Sequence, residues 1–185
     1  LSREFAVPIH FKLENLQPTG SFKLRGATHK IDRLLAAGAP PRGVIAASAG
    51  NHAQGVARAA LVKGLAATVV MPVAAPLTKI EACRGLAAEV ILAGANLEEA
   101  KLVAERLAGE RGLAFVHPYD DWEIIAGQAS VGLEIIEALP SATLVVVPLG
   151  GGGLIAGVAL AIKLQRPDVR IVGVQTDSVA PFRRF

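Results

Sequence analysis

Short apolar runs alternate with stretches of helical spacing along most of the chain, and this alternation constrains the fold more than any other feature. The runs cover residues 44–47, 67–71, 89–92, 114–117, 144–147 and 171–174. Strands that alternate with helices form βαβ units, which build a parallel sheet covered by helices on both faces. We therefore predict an α/β fold with open, twisted, mainly parallel sheets.

The region before the first of these runs has a different pattern. Apolar and polar residues alternate over 9–14, which predicts a half-buried strand. A turn at 17–20 follows, and helical spacing then begins with Ser21 as a plausible N-cap. Glycine and proline residues at 38–43 make the clearest break in the chain.

Composition excludes several classes of protein. The net charge is +3, aromatic residues make up 4%, and the basic residues form no block, which argues against a nucleic-acid surface. Cys83 is the single cysteine, so a reducing cytoplasm is expected. The uncharged run 141–162 is long enough to span a membrane, but Pro148 and the glycines after it would break the helix, so no span is expected.

Two strand-to-helix turns carry glycine, and in parallel sheets ligands bind at such turns. One contains Gly150, Gly151, Gly152 and Gly153. Glycine allows backbone N–H groups to approach an anion closely, and the following helix N-terminus adds partial positive charge. The turn is therefore a candidate phosphate site, although a flexible tight turn would have the same composition.

The other turn contains Ser48, Ala49, Gly50, Asn51 and His52. Its N–H groups and the Ser48 hydroxyl could hold a carboxylate, while Asn51 could contact a polar ring substituent. The same residues could simply cap the following helix.

Lys23 lies in the first turn of the helix that follows Ser21. A helix N-terminus and partial desolvation both lower the pKa of a lysine, which is the condition for a nucleophilic amine that forms Schiff bases. Taken alone, a lysine at this position is more often an ordinary surface residue.

The three elements together match a known family. The sequence KLENLQPTGSFKLRGA at 12–27 resembles the cofactor-lysine motif of the tryptophan-synthase-β-like, fold type II pyridoxal-phosphate enzymes, most closely the serine/threonine dehydratases. SAGNHAQG at 48–55 resembles their substrate-carboxylate loop, and GGGGL at 150–154 resembles their phosphate loop. Order and spacing agree over essentially the whole sequence.

The resemblance implies a role for each matching residue. Lys23 would hold pyridoxal 5′-phosphate as a Schiff base, Phe22 would lie beside its ring, and Asn51 would bond its 3′-oxygen. The phosphate would be held by the backbone of five residues: Gly150, Gly151, Gly152, Gly153 and Leu154. The substrate carboxylate would be surrounded by four: Ser48, Ala49, Gly50 and His52.

The resemblance also implies two lobes. HPYDD at 117–121 resembles the segment where the family's chain returns from the small lobe. Residues 43–120 would form the small lobe, while 1–42 and 121–185 would form parts of the large, pyridoxal-phosphate-binding lobe. The sequence begins without Met and its large lobe would be incomplete, so we expect a piece of a longer protein. We also expect the full-length protein to form homo-oligomers.

The implied reaction is the deamination of L-threonine or L-serine to a 2-oxo acid and ammonia, with isoleucine biosynthesis as one possible role. Serine racemases carry a second serine where this chain has Ala49, whose methyl group cannot transfer a proton. Leu24 stands where threonine synthases typically have Asp, which weakens that alternative. Gln175 stands where racemase-like members have a carboxylate near a divalent metal, and an amide is a poorer ligand for such a cation, so no metal is expected there. Racemisation, hydroxyaspartate dehydration, β-replacement and a non-catalytic phosphate-binding module remain as alternatives.

Overall fold

The computed structural model describes residues 1–38, 40–178 and 180–182. The strands are β1 (Val44–Ala47), β2 (Ala67–Met71), β3 (Glu89–Leu92), β4 (Ala114–Phe115), β5 (Leu144–Pro148) and β6 (Arg170–Val174). The helices are α1 (Ser2–Phe5), α2 (Lys23–Ala36), α3 (Asn51–Val62), α4 (Leu77–Arg84), α5 (Leu97–Arg111), α6 (Trp122–Ala138) and α7 (Gly153–Gln165), with a short 3-10 helix at Glu14–Leu16.

The strands form two parallel sheets. A four-stranded sheet has the order β3-β2-β1-β4, with Val44 of β1 opposite both Ala67 and Ala114. A second sheet pairs β5 with β6, with Leu144 opposite Arg170. The predicted α/β class with parallel sheets is therefore confirmed.

The four-stranded sheet is covered on both faces, which explains its uninterrupted apolar strands. Every residue of β1 and β2 is buried. On one face Val44 and Val69 join a cluster with α3 and α4, and on the other Ile45 and Val70 pack against Leu107 and its neighbours on α5. A strand buried on both faces must be apolar at every position rather than at alternate ones.

The small sheet is covered on one face. Val145 and Val147 of β5 are buried with α6 and α7, whereas Leu144 and Val146 are half exposed at 50% and 58%. β5 therefore carries the alternating burial of a half-covered strand, although its sequence is continuously apolar.

Some predicted boundaries are wrong. β4 ends at Phe115 rather than at His117 because the His117 ring accepts hydrogen bonds from the backbone of Tyr119 and Asp120 and starts a turn. α2 begins at Lys23 with Phe22 as its N-cap, and the Ser21 hydroxyl accepts the Lys23 N–H from just outside the helix. Ala39, in the predicted break, lies outside the described residues.

The strand predicted over 9–14 is absent. The segment has no strand partner among residues 1–38, 40–178 and 180–182, and Phe11 and Leu13 are 65% and 53% exposed. Its polar residues make the contacts instead, since Lys12 and Glu14 form ion pairs with residues of α2 and α6. Alternation was present in this segment, but a strand needs a neighbour to pair with.

Glycines bring three helices into close contact. A Cβ on Gly127 of α6 would lie 2.6 Å from the Cα of Gly26 in α2. A Cβ on Gly157 of α7 would lie 2.5 Å from the carbonyl oxygen of Ile125 in α6. Real side-chain carbons do not approach backbone atoms so closely, so α6 packs against α2 and α7 only because these positions lack side chains.

Among the residues that the structure describes, no helix is both long and apolar enough to cross a membrane.

We expect Gly157→Ala to lower the free energy of unfolding by about 1–3 kcal/mol, because its methyl group would force α6 and α7 apart. Gly109→Ala is the matched control, since Gly109 is also helical but an added Cβ meets nothing within 4 Å. The control should be neutral or stabilising, by up to about 1 kcal/mol from its better helix propensity. Denaturant unfolding measures both, and equal effects would contradict the packing interpretation.

Candidate active site

Lys23 is the first residue of α2, and its amine points towards the loop after β4. The Nζ atom donates to the carbonyl oxygen of Pro118 at 2.6 Å and lies 5.2 Å from the ring centroid of Phe22. Gly55 of α3 allows this placement, because a Cβ there would lie 3.0 Å from the Lys23 carbonyl carbon. The start of α2 is thus held directly against α3.

Burial lowers the pKa of the Lys23 amine from its ordinary value of 10.5 to about 8. Desolvation disfavours the charged ammonium form. A substantial minority of the amine is therefore neutral near pH 7.5, and a neutral amine is the form that attacks carbonyl carbons and accepts protons. The expected perturbation of this lysine is present, and burial is its cause.

The turn 48–50 connects the end of β1 to the start of α3. The Ser48 N–H donates to the carbonyl of Val70 at 3.1 Å, and the Ser48 hydroxyl accepts from the Gly50 N–H at 3.1 Å. Gly50 occupies the N-cap position, and no side chain caps α3. The alternative in which Ser48 or Asn51 caps the helix is therefore not seen, and the first-turn N–H groups of α3 have no intrahelical partner.

His52 is 4% exposed, and its Nε2 lies 2.9 Å from the carbonyl oxygen of Val116. A carbonyl only accepts, so Nε2 carries the proton. Burial lowers the pKa of His52 to about 4, with the hydrogen bond to Val116 opposing and the positive charge of Lys23 assisting. The N–H of the neutral ring is thus used by the hydrogen bond to Val116. The backbone N–H of His52 lies in the first turn of α3, beside the 48–50 turn.

The segment 116–121, which we call the connecting segment, joins β4 to α6 and contacts all three motifs. Val116 accepts from His52, and Pro118 accepts from Lys23. The Tyr119 ring meets the His117 ring edge-on at 4.8 Å between centroids and also lies against Gly151.

The glycine turn 150–153 follows β5 and leads into α7. Gly152 has φ 89°, a left-handed conformation that favours glycine. A Cβ on Gly151 would enter the Tyr119 ring, and one on Gly153 would lie 2.8 Å from the Tyr119 carbonyl oxygen. Side chains here would push the turn away from the connecting segment.

The glycine turn fits a phosphate group. No side chain caps α7, and Gly150 and Gly151 are exposed. A helix N-terminus without a capping side chain presents N–H donors and partial positive charge, which suits an anion. Leu154, the last predicted residue of this site, is half-buried against the apolar cluster of α6 and α7, so its backbone is well anchored.

Sequence reasoning missed the contributions of Val116 and Pro118. They act through backbone carbonyls, and side-chain patterns do not report which carbonyl faces a cavity. Tyr119 was inside a recognised segment, but nothing in the sequence indicated that its ring and backbone would lie against the glycine turn.

Comparisons with known proteins identify a family and related folds. A family model described as "Pyridoxal-phosphate dependent enzyme" matches residues 1–185. The L-threonine ammonia-lyase of Thermotoga maritima is 55% identical over 171 residues, which are 92% of this chain and 42% of that protein. The chain spans about half the length of the curated relatives it matches.

Solved structures of a threonine deaminase and a serine racemase share the fold of this chain. The processed threonine deaminase isoform 2 of Solanum lycopersicum superposes with a TM-score of 0.92 at 42% identity, covering 97% of this chain and 49% of that one. The serine racemase of Dictyostelium discoideum gives 0.88 at 34% identity, covering 94% of this chain and 56% of that one. Because a deaminase and a racemase both match, the fold does not by itself choose between their reactions.

We expect Gly151→Ala to destabilise the protein by about 1–3 kcal/mol, because the new methyl group would overlap the Tyr119 ring. Tyr119→Ala removes that ring, so adding Gly151→Ala to it should have a much smaller effect. A double-mutant cycle by denaturant unfolding measures this coupling. Gly150→Ala is the control, since a Cβ there meets nothing within 4 Å. Additive effects of the two substitutions would show that the ring does not determine the need for glycine.

We also expect Lys23→Met to stabilise the cofactor-free protein at pH 7 by about 2–3 kcal/mol, because it removes a charge whose burial is unfavourable. The folded-state pKa, about 8, is below the unfolded value, so the penalty is complete below pH 8 and disappears as pH rises towards 10.5. Denaturant unfolding of both proteins at pH 7, 8.5 and 10 should show the difference in their free energies of unfolding becoming smaller as the pH rises. Lys163→Met is the control, because the exposed Lys163 also donates to a proline carbonyl, at Pro167. An equal gain in both variants would refute the explanation.

Proposed function

Because this chain belongs to the family of pyridoxal-phosphate dependent enzymes, we propose that it forms part of an enzyme that deaminates L-threonine, L-serine or both. The single observation that carries the proposal is the buried Lys23 amine, whose pKa is lowered to about 8 and which lies against α3 and donates to Pro118 of the connecting segment. The identity to the Thermotoga maritima ammonia-lyase supports the choice of reaction.

We assign the cofactor to the residues between Lys23 and the glycine turn. Lys23 would hold it covalently, Phe22 would lie beside its ring, and Asn51 would donate a hydrogen bond to its 3′-oxygen. Its phosphate would be held by the backbone N–H groups of five residues: Gly150, Gly151, Gly152, Gly153 and Leu154. Bound pyridoxal phosphate supplies a ring that stabilises negative charge on the α-carbon of an amino acid.

Lys23 moves the proton in this scheme. With the cofactor bound, the Lys23 Nζ would accept the α-proton of the substrate. The desolvated position keeps the pKa of Nζ near 8, close to the operating pH, where a general base is most effective. The Pro118 carbonyl fixes the direction of the amine.

The substrate carboxylate binds at the start of α3 in this proposal. Ser48, Ala49, Gly50 and His52 would surround it, partly through backbone N–H groups, with the helix N-terminus behind them. The neutral His52 ring keeps its own hydrogen bond to Val116 and so holds the turn against the connecting segment.

The net reaction is loss of the β-hydroxyl as water, followed by hydrolysis of the released enamine. Threonine gives 2-oxobutanoate and ammonia, and serine gives pyruvate and ammonia. Ala49 disfavours racemisation because its methyl group cannot protonate the opposite face of the α-carbon. Hydroxyaspartate dehydration and β-replacement remain the alternative reactions.

The wider setting is also a proposal. Residues 43–120, which contain the whole four-stranded sheet, form the small lobe, and 1–42 with 121–185 form parts of the large lobe. The buried free cysteine Cys83 is compatible with a cytoplasmic location. Homo-oligomerisation, a role in isoleucine biosynthesis, and the absence of nucleic-acid, membrane and metal partners stay predictions.

The test uses the protein at its full natural length. Titration with pyridoxal phosphate should produce a visible absorption band, and borohydride reduction should fix the cofactor to the peptide that contains Lys23. Lys23→Ala should lose both signals and the formation of 2-oxo acid from threonine and serine. Lys163→Ala, which removes an exposed lysine, should behave as wild type.

Other outcomes would identify a different function. Label on another lysine would exclude Lys23 as the anchor. Cofactor binding without 2-oxo acid, but with incorporation of sulfide into the amino acid, would identify β-replacement. Phosphate-ligand binding without the visible band would identify a non-catalytic module.

A further inference from the structure

Arg25 lies two residues after Lys23, and all of its guanidinium N–H groups donate to a cluster of side chains. Its Nε and Nη2 donate to the two carboxylate oxygens of Glu14 at 2.7 and 2.9 Å. Its Nη1 and Nη2 donate to those of Glu134 at 2.6 and 2.8 Å, and Nη1 also reaches the Ser130 hydroxyl at 3.0 Å. We call Lys12, Glu14, Arg25, Ser130 and Glu134 the Arg25 cluster.

The cluster is balanced in charge and partly shielded from water. Lys12 pairs with both carboxylates, at 3.1 Å to Glu14 and 2.8 Å to Glu134. The side chains of Arg25 and Glu14 are only 14% and 13% exposed, although that of Glu134 is 43% exposed. Hydrogen bonds from Arg25 and then Lys12 lower the pKa of Glu134 to about 2, so that carboxylate is ionised at neutral pH.

The Arg25 cluster joins three separate parts of the chain. Lys12 and Glu14 belong to the segment before α2, Arg25 to the first turn of α2, and Ser130 and Glu134 to α6. α6 is also the helix that contacts α7, through the close approach at Gly157. Since α7 begins at the glycine turn, the cluster fixes the start of α2 on the helix that supports that turn.

We propose that Arg25 is a positioning residue for Lys23, which holds the first turn of α2 so that the lysine amine reaches a cofactor whose phosphate is bound at the glycine turn. This rests on the proposed function. The two bidentate carboxylate contacts carry it, because a guanidinium fixes orientation as well as charge. A lysine keeps the charge but lacks the planar fork, so it cannot reproduce this geometry.

Arg25 acts through position rather than through its electric field. Within its cluster its charge is paired with two carboxylates, and its guanidinium faces Glu14 and α6. The Lys23 amine faces Pro118 instead, and burial is the cause of its lowered pKa. A displacement of about 1 Å would leave the amine buried, so loosening the first turn would misplace it while changing the pH at which it titrates very little.

The experiment compares wild type with Arg25→Lys in the full-length holoenzyme. We expect kcat to fall roughly 10- to 100-fold, as misplacement of a reacting group by about 1 Å can produce. KM should change little, because the carboxylate site at α3 lies outside the cluster. The dissociation constant of pyridoxal phosphate, measured by the visible band, should rise, and the acidic limb of the kcat–pH profile should keep its pKa. Arg106→Lys is the control, since Arg106 also pairs with a glutamate, Glu110, but through Nη1 alone and on the exposed face of α5.

A purely structural role predicts a different pattern. Arg25→Lys would then lower Tm but leave kcat and the cofactor dissociation constant of the folded fraction at wild-type values, which would overturn the proposal. An altered pKa in the kcat–pH profile would also overturn it, since the effect would then act through charge. If Arg25→Lys does not fold, Glu134→Gln removes one carboxylate from the half-exposed side of the cluster and should give a smaller loss of kcat in the same direction. An unchanged kcat in a folded Glu134→Gln enzyme would count against the proposal.

Failure of the proposed function gives a separate signature. Wild type would then show no visible band with pyridoxal phosphate and no 2-oxo acid, and the positioning role of Arg25 would fall with it. If wild type binds the cofactor and forms 2-oxo acid, and Arg25→Lys has the same kcat and cofactor dissociation constant, then the positioning role alone is overturned.

Discussion

The close contact of α6 with α2 on one side and α7 on the other is the constraint on which the candidate site depends. α2 begins with Lys23, and α7 begins at the glycine turn, so their positions on α6 set the distance between the Lys23 amine and the glycine turn. Glycines at 26, 127 and 157 remove the side chains that would separate these helices. Interiors pack as densely as organic crystals, so even one added methyl group would be transmitted to the site.

The connecting segment adds a second level of order through backbone atoms. Its backbone carbonyls at Val116 and Pro118 accept hydrogen bonds from His52 and Lys23, respectively. Both donors are nitrogen bases whose pKa burial lowers, to about 4 for the imidazole and about 8 for the amine. His52 is therefore neutral at pH 7 and keeps its hydrogen bond to Val116, so Lys23 is the one of these two bases that could take up a proton.

Local sequence patterns predicted the α/β class, most strand positions and the perturbed lysine, because periodicity and helix starts are local properties. The strand predicted over 9–14 was wrong for a reason outside the segment. In the part of the chain that the structure describes, no strand lies beside it, and its polar residues Lys12 and Glu14 instead pair with Arg25 and Glu134. The roles of Val116 and Pro118 could not be predicted because they depend on contacts between residues distant in the chain. The assignment of each site residue to cofactor or substrate rests on family resemblance and stays a prediction.

The strand order β3-β2-β1-β4 has a consequence for where chemistry can develop. The chain lays β2 and β3 successively on one side of β1 and then returns to place β4 on the other side. β1 and β4 are therefore neighbours at a topological switch point, and ligands bind at the carboxyl ends of such strands in open parallel sheets. The turn that begins at Ser48 follows β1 and the connecting segment follows β4, so strand order alone brings these two segments to the same edge of the sheet. The hydrogen bond from His52 to Val116 then joins them across that edge.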